Sequence, residues 1–210
     1  MIAILYLHGG GHADHTRYTA LIERFNSVGI ISHAFDHHAT TLAGRLDEAE
    51  LELAKLKSQH GLSDGEIYVW GSSMGGHVAA RLTRIHPDLA GVILQSAAAY
   101  SQAAENIPFG PDFTAELTRN ESYLESPVFS LISKYTNPIL VMYGELDNVI
   151  PQAVKDRYIS RAKQNGQYFL LPKAGHSLLR PQKKAELEAW DEMANSALMF
   201  IKSDSFRSHG

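Results

Sequence analysis

Six short apolar segments of the kind that forms β-strands recur along the chain, and helical patterns fill most of the intervals between them. The six segments are residues 2–7, 30–35, 67–70, 91–94, 139–143 and 168–171. Their apolar residues are mostly continuous rather than alternating, which is typical of strands buried on both faces of a parallel sheet. The alternation predicts a single α/β domain over residues 1–210, with a mostly parallel six-stranded sheet and helices on both faces.

Five helices are predicted between and after these strands. They cover about residues 16–28, 42–60, 74–86, 152–164 and 181–201. Gly29 and Gly61 directly follow the first two, where a glycine commonly ends a helix. Pro87 ends the third, and Pro181 suits the first turn of the last.

Residues 97–137 break the alternation, because connections in such domains usually span about 2–6 residues. The segment is rich in aromatic side chains, which favours an ordered structure over a disordered insertion. These are Phe109, Phe113, Tyr123 and Phe129. We expect a small helical lid here, with Phe113 and Phe129 shaping the substrate pocket.

Composition excludes several classes of function. The formal net charge is −4, so no basic excess is available to neutralise a nucleic-acid backbone. Cysteine is absent, which excludes disulfides, thiolate metal sites and a cysteine nucleophile. Residues 1–7 are apolar but lack a basic flank, and no stretch reaches the roughly 18 apolar residues of a membrane span. We therefore expect a cytoplasmic protein without a membrane span.

The sharpest motif is a G-x-S-x-G pattern at residues 71–75, with Ser73 at its centre. It lies between a predicted strand and a predicted helix, which is the context of a nucleophile elbow. A second match at residues 61–65 is centred on Ser63 and has the reversed context, because it follows a helix and precedes a strand. We interpret that second match as a helix end and a turn.

Residues 8–11 read His-Gly-Gly-Gly at the end of the first strand. Together with the turn at 71–75, this loop resembles the α/β-hydrolase fold family, in which such a loop and the residue after the nucleophile form the oxyanion hole. The resemblance assigns backbone N–H groups of Gly10 and Met74, with Gly11 as the alternative to Gly10. Many family members have two further strands before this loop, so the sheet should be a shortened, six-stranded version.

The resemblance also implies a chain order of serine, acid and histidine. Residues 143–147 end in Asp147 directly after a strand, and a proline follows at position 151. Residues 174–177 place His176 after the last strand. The implied triad is therefore Ser73, Asp147 and His176, with Glu145 as the reserve acid. A base is needed because a serine hydroxyl is a poor nucleophile until its proton is removed.

These features predict a serine hydrolase, most specifically a carboxylesterase acting on small to medium acyl esters without a cofactor. Thioesterase, peptidase, amidase or lipase activity would use the same groups, and a non-catalytic binding protein could share the fold. The sequence does not identify the residues that bind substrate, the natural substrate or the oligomeric state.

Two other classes of function have weaker support in the sequence. Gly9 and Gly11 after the first strand suggest a dinucleotide-binding oxidoreductase, but Asp14 occupies the position of the third glycine. The 11 histidines suggest a metal site, yet no spacing typical of metal ligands occurs, and we expect no metal. We interpret His12, His15, His37 and His38 as exposed loop residues or pocket lining.

Overall fold

Six parallel strands form one sheet in the computed structural model, which describes residues 1–10, 14–179 and 184–205. The strands are β1 (Ala3–Leu7), β2 (Ile31–Ala34), β3 (Ile67–Ser72), β4 (Gly91–Gln95), β5 (Ile139–Gly144) and β6 (Gly166–Leu171). Their order in the sheet is β2-β1-β3-β4-β5-β6, and every neighbouring pair is parallel. The predicted six-stranded α/β fold is confirmed. The order differs from the 3-2-1-4-5-6 order of a dinucleotide-binding sheet, which speaks against that alternative.

Seven α-helices lie in the described residues. They are α1 (Thr19–Asn26), α2 (Leu42–His60), α3 (Met74–Ile85), α4 (Pro111–Thr118), α5 (Val128–Lys134), α6 (Gln152–Asn165) and α7 (Lys184–Ser205). Gly29 and Gly61 have φ angles of 82° and 66°, so both adopt the left-handed conformation expected at these helix ends. Pro181, the predicted start of the last helix, lies outside the described residues.

Within the described ranges, no helix combines the length and the apolar character needed to cross a membrane.

The continuous apolar strands are explained by two cores, one on each face of the sheet. Ala3, Leu5 and Leu7 of β1 point into one core, and Ile4 and Tyr6 point into the other. Helices α2, α3 and α6 contribute to the first core, while α1 and α7 contribute to the second. Because successive strand residues face opposite sides, both must be apolar when both sides are covered.

The 97–137 segment contains α4, α5 and two short 3₁₀ turns, Gln102–Asn106 and Ser122–Glu125. It is attached to α3 through the buried carboxylate of Glu105. Oε1 of Glu105 lies 3.1 Å from Nε2 of His77 and also binds Arg81. His77 is buried and joins this segment to α3.

The junction of β1, β3 and α3 depends on close backbone contact at Gly75. A Cβ atom built on Gly75 would lie 2.0 Å from the carbonyl oxygen of Leu7. A Cβ atom on Gly71 would lie 2.3 Å from the carbonyl oxygen of Gly75. Since both obstructing atoms belong to the backbone, no side-chain rotation can relieve the overlap.

We expect Gly75→Ala to destabilise the protein by more than the about 1–3 kcal/mol typical of an overpacked core, because the end of β1 must move. Urea unfolding of the purified variant measures this loss. Gly65→Ala is the matched control, since the nearest atom to its Cβ would be 3.8 Å away. Its free energy of unfolding should stay within about 1 kcal/mol of wild type. Equal stability of the two variants would contradict the close contact.

Candidate active site

Ser73 occupies the sharp turn between β3 and α3. Its φ and ψ angles are 53° and −116°, a conformation that residues other than glycine rarely adopt. Hydrogen bonds hold its backbone in place: its N–H donates to the carbonyl of Gln95 (3.0 Å), and its carbonyl accepts from the N–H groups of Gly76 (2.9 Å) and Ala98 (3.0 Å). The strained turn is thus fixed on both sides and presents the serine hydroxyl at the end of the sheet.

The structure brings the three predicted residues together in one hydrogen-bonded chain. Oγ of Ser73 lies 3.0 Å from Nε2 of His176, and Nδ1 of His176 lies 3.0 Å from Oδ2 of Asp147. A carboxylate can only accept, so Nδ1 carries the proton and Nε2 of the neutral ring accepts from the serine hydroxyl. This is the geometry of a nucleophile, a base and a group that orients the base.

Asp147 is buried and fully engaged. Its Oδ1 accepts from the backbone N–H groups of Val149 (3.0 Å) and Ile150 (3.2 Å), while Oδ2 faces His176. Burial acts to raise the pKa of Asp147, but the hydrogen bond and the electrostatic interaction with His176, together with the two backbone donors, outweigh it, and the pKa is lowered. The carboxylate therefore stays ionised beside the imidazole.

The alternative acid, Glu145, and the serine of the second G-x-S-x-G match, Ser63, lie outside this hydrogen-bonded chain. Glu145, the reserve acid, is exposed, and its Oε2 accepts from the backbone N–H of Lys173 (2.9 Å) rather than from His176. Ser63 donates from both N–H (3.0 Å) and Oγ (2.9 Å) to Glu66 at the start of a 3₁₀ turn. Both residues have local structural partners, in agreement with the interpretation of residues 61–65 as a turn.

Gly9 and Gly10 lie beside the nucleophile. A Cβ atom on Gly9 would be 3.1 Å from Cβ of Ser73, and one on Gly10 would be 3.3 Å from Cε of Met74. Met74 begins α3, where backbone N–H groups have no partner within the helix. The two predicted N–H donors therefore come from adjacent pieces of backbone. Gly11 and His12 lie outside the described residues.

The Gly9 carbonyl is held by two side chains, which the sequence did not reveal. Arg45, buried on α2, donates to this oxygen from Nη1 at 2.8 Å, and Nδ1 of His8 lies 2.9 Å from it. This carbonyl shares a planar trans peptide with the N–H of Gly10, so the two groups point in opposite directions. Fixing the carbonyl therefore fixes the direction of the Gly10 N–H.

The protonation of His8 follows from its other partner. The backbone N–H of His37 donates to Nε2 of His8 (3.2 Å), so the proton of the neutral ring sits on Nδ1 and points to Gly9. Burial is the main cause that lowers the pKa of His8, and the positive charge of Arg45 adds to it. Both effects favour the neutral ring that this contact requires.

Two cavities meet at Ser73. The larger, about 240 Å³, is lined by Ser73, Ala98, Ala99, Tyr100, Leu117, Tyr123, Val149, Ile150 and Pro151. The smaller, about 120 Å³, is lined by Gly9, Gly10, Arg17, Ser72, Ser73, Gln95, Ser96, His176, Ser177 and Leu179. The prediction that Phe113 and Phe129 shape the substrate pocket is wrong, because neither residue lines these two cavities. Phe113 packs against Tyr100, and Phe129 packs on Tyr158.

Histidines near the site are paired with carboxylates rather than grouped as metal ligands. His15 binds Asp36 (3.0 Å), and the ring of His37, expected to be exposed or pocket-lining, is buried against Glu48 (2.9 Å). Within the described part of the chain, no group of three or more histidine or acidic side chains could hold a metal ion.

A family model provides the first comparison with known proteins. The model of the prolyl oligopeptidase family matches residues 46–194, which is more than half of the chain and includes Ser73, Asp147 and His176. No curated protein sequence matches the chain.

Solved structures provide the second comparison. Est1E from Butyrivibrio proteoclasticus is 19% identical with a TM-score of 0.68, and the match covers 96% of this chain and 88% of Est1E. A monoacylglycerol lipase from Paleococcus ferrophilus is 17% identical (TM-score 0.69; 96% and 94% covered). The esterase Est2 from Thermogutta terrifontis is 17% identical (TM-score 0.72; 96% and 83% covered). These similarities confirm the predicted α/β-hydrolase fold.

The buried ring of His37 predicts a loss of stability in mild acid. Burial lowers its pKa to about 4, although the hydrogen bond with Glu48 opposes the shift. An unfolded histidine binds a proton near pH ~6.5, so the stabilisation is complete above that pH and declines as the pH falls toward 4. In wild type, this titration lowers the free energy of unfolding by up to about 1.4 kcal/mol for each pH unit below ~6.5. His37→Asn keeps a donor toward Glu48 but does not titrate, so this contribution to the pH dependence should be lost.

Urea unfolding at pH 7, 6 and 5 measures the effect on stability. His60→Gln, at the exposed end of α2, is the matched control and should leave the wild-type slope unchanged. Identical slopes for wild type and His37→Asn would show that the folded protein accepts the proton freely.

Proposed function

The chain belongs to the prolyl oligopeptidase family and is a hydrolase of the α/β-hydrolase fold, and from that premise we propose that it is a carboxylesterase. The proposed substrates are small to medium acyl esters. The observation that carries the proposal is the hydrogen-bonded chain from Ser73 through His176 to Asp147, with 3.0 Å at each step. The chain couples a hydroxyl to a base and the base to a buried carboxylate.

In the proposed reaction, Oγ of Ser73 attacks the ester carbonyl while Nε2 of His176 takes its proton. His176 then protonates the leaving alcohol, and an acyl-enzyme forms on Ser73. Water attacks this intermediate by the same route and releases the acid. Asp147 holds the ring of His176 and stabilises the imidazolium form. Side chains and backbone supply each group, so we propose that no cofactor is required.

The negative charge that develops on the carbonyl oxygen needs fixed donors. We assign the backbone N–H groups of Gly10 and Met74 to this role, since both lie beside Ser73. Arg45 and His8 support the first donor by holding the other end of its peptide. Donors fixed before the reaction need no reorganisation when the charge appears, and losing one typically costs about 10²–10³ in kcat.

The two cavities suggest how an ester would lie. The leaving oxygen must be next to Nε2 of His176, and His176 lines only the smaller of the two cavities described. The leaving alcohol is thus assigned to the smaller cavity and the acyl chain to the larger. The larger cavity is lined by alanine, leucine, valine, isoleucine, proline and tyrosine side chains, which suits an apolar acyl group.

Peptide hydrolysis is the second candidate activity, because the matching family is named after prolyl oligopeptidases. The printed names of the structural relatives favour esters instead. The larger cavity also offers no charged side chain among its lining residues to bind a peptide terminus. A panel of p-nitrophenyl acyl esters and aminoacyl or prolyl p-nitroanilides separates the two candidates.

The cytoplasmic location and the lid role of the 97–137 segment stay predictions from the sequence.

Ser73→Ala should abolish ester turnover and covalent labelling by a fluorophosphonate probe, because no other hydroxyl is bound to His176 in the described structure. Asp147→Asn should lower kcat by up to about 10⁴-fold by permitting the wrong tautomer of His176. Turnover of p-nitrophenyl butyrate and gel fluorescence measure the two effects.

Ser63→Ala and Glu145→Gln are the matched controls, since both residues have local partners away from His176. Both variants should retain near-wild-type turnover. A labelled Ser73→Ala protein, or a crippled Glu145→Gln protein with a mild Asp147→Asn effect, would contradict the assignment.

Leu117→Ala should shift the acyl preference toward longer chains, because it enlarges the larger cavity. We expect the ratio of kcat/KM for octanoate over butyrate esters to rise by roughly threefold to tenfold, since each buried methylene is worth about 0.8 kcal/mol. Phe129→Ala is the control: Phe129 packs on Tyr158 outside this lining. It should lower the melting temperature and leave the ratio unchanged. An altered ratio in Phe129→Ala alone would contradict this location of the acyl chain.

A further inference from the structure

A half-buried arginine lines the smaller cavity together with the nucleophile and the base. Arg17 belongs to the 3₁₀ turn His15–Tyr18 and shares this cavity with Ser73 and His176. Its charge also reaches His8, where it contributes, after burial and Arg45, to the lowered pKa of that ring. A permanent positive charge therefore lies beside the reacting groups.

Among the carboxylates that the structure describes, none forms an ion pair with Arg17. In contrast, Arg24, Arg81 and Arg119 each form one. A half-buried guanidinium without a carboxylate partner keeps donors available for an anionic group that enters the cavity.

The turn that carries Arg17 is held at both ends. The hydroxyl of Tyr18 donates to the carbonyl of Leu7 at the end of β1 (3.1 Å). The backbone N–H of His15 donates to Oδ1 of Asp36, which follows β2 (2.7 Å), and the His15 ring binds the same oxygen (3.0 Å). Arg17 is thereby placed at the cavity by two neighbouring strands.

We propose that Arg17 is a specificity residue that binds a carboxylate on the leaving alcohol of the substrate. The inference rests on the proposed function, in which His176 and hence the leaving group lie in the smaller cavity. A guanidinium presents planar, paired donors that match a carboxylate, and such charge-assisted hydrogen bonds are the strong ones. The preferred substrate is then an apolar acyl chain esterified to a hydroxy acid.

Matched esters that differ in one charge test the assignment. In 4-carboxyphenyl butyrate and 4-carbamoylphenyl butyrate, the acyl group is the same and the leaving group carries a carboxylate or a neutral amide. Arg17→Gln should lower kcat/KM for the carboxylate ester by roughly tenfold to a hundredfold, the range of a hydrogen bond to a charged group. The amide ester should change by less than about threefold. Arg17→Lys should give an intermediate result, because it keeps the charge without the paired donors.

Arg24→Gln is the matched control for the loss of one positive charge. Arg24 lies on the neighbouring α1 and binds Asp191 and Asn195 of α7, away from the cavity. It should leave the ratio of the two esters at its wild-type value. The ratio is measured on the same protein sample, so partial unfolding cancels from it.

The outcomes separate this inference from the proposed function. If fluorophosphonate labels Ser73 and both esters are cleaved, but Arg17→Gln leaves their ratio unchanged, the carboxylate site is refuted and the esterase stands. If neither labelling nor cleavage occurs, the proposed function fails, and an NMR titration of Ser73→Ala with 4-hydroxybenzoate decides about Arg17. Binding that weakens at least tenfold in Ser73→Ala with Arg17→Gln supports the site, and equal binding refutes it.

Discussion

The contact between the Leu7 carbonyl and Gly75 is the constraint on which the site depends. The end of β1 and the first turn of α3 approach so closely that a single added carbon would lie 2.0 Å from the oxygen. The loop after β1 carries Gly9 and Gly10, and the turn before α3 carries Ser73. Close packing of these two backbones therefore sets the distance between the serine hydroxyl and the loop that we assign to the oxyanion.

Local sequence predicted the groups that lie at strand ends, because the carboxyl ends of parallel strands meet at one edge of the sheet. Ser73, Asp147 and His176 follow three different strands, and the structure brings them into one hydrogen-bonded chain. The sequence alone does not distinguish Asp147 from Glu145 as the partner of His176, since both residues follow β5 within three positions. The distinction comes from the hydrogen bonds in the structure. Phe113 and Phe129 were misplaced for a related reason: an aromatic side chain in a long insertion can face either the cavity or the protein interior.

Arg45 and His8 show what local patterns leave out. Arg45 lies 36 positions from the carbonyl it binds, on a helix whose sequence reads as a mixed-charge surface helix. Its burial depends on how α2 packs against β1, and no spacing rule encodes that contact. The same holds for the donor from His37 that selects the tautomer of His8. These long-range contacts hold the loop that follows β1, and a motif of glycines alone specifies only that such a loop can approach a ligand.

The contact of Glu105 with His77 and Arg81 has a consequence for how molecules reach the larger cavity. Swinging the first part of the 97–137 segment outward would separate a buried carboxylate from its partners, and breaking such a pair typically costs about 3–5 kcal/mol. This wall of the cavity is therefore rigid, and its dimensions are set before any molecule binds. If the acyl chain binds here as we propose, this fixed wall sets an upper limit on the size of the acyl group on its side of the cavity.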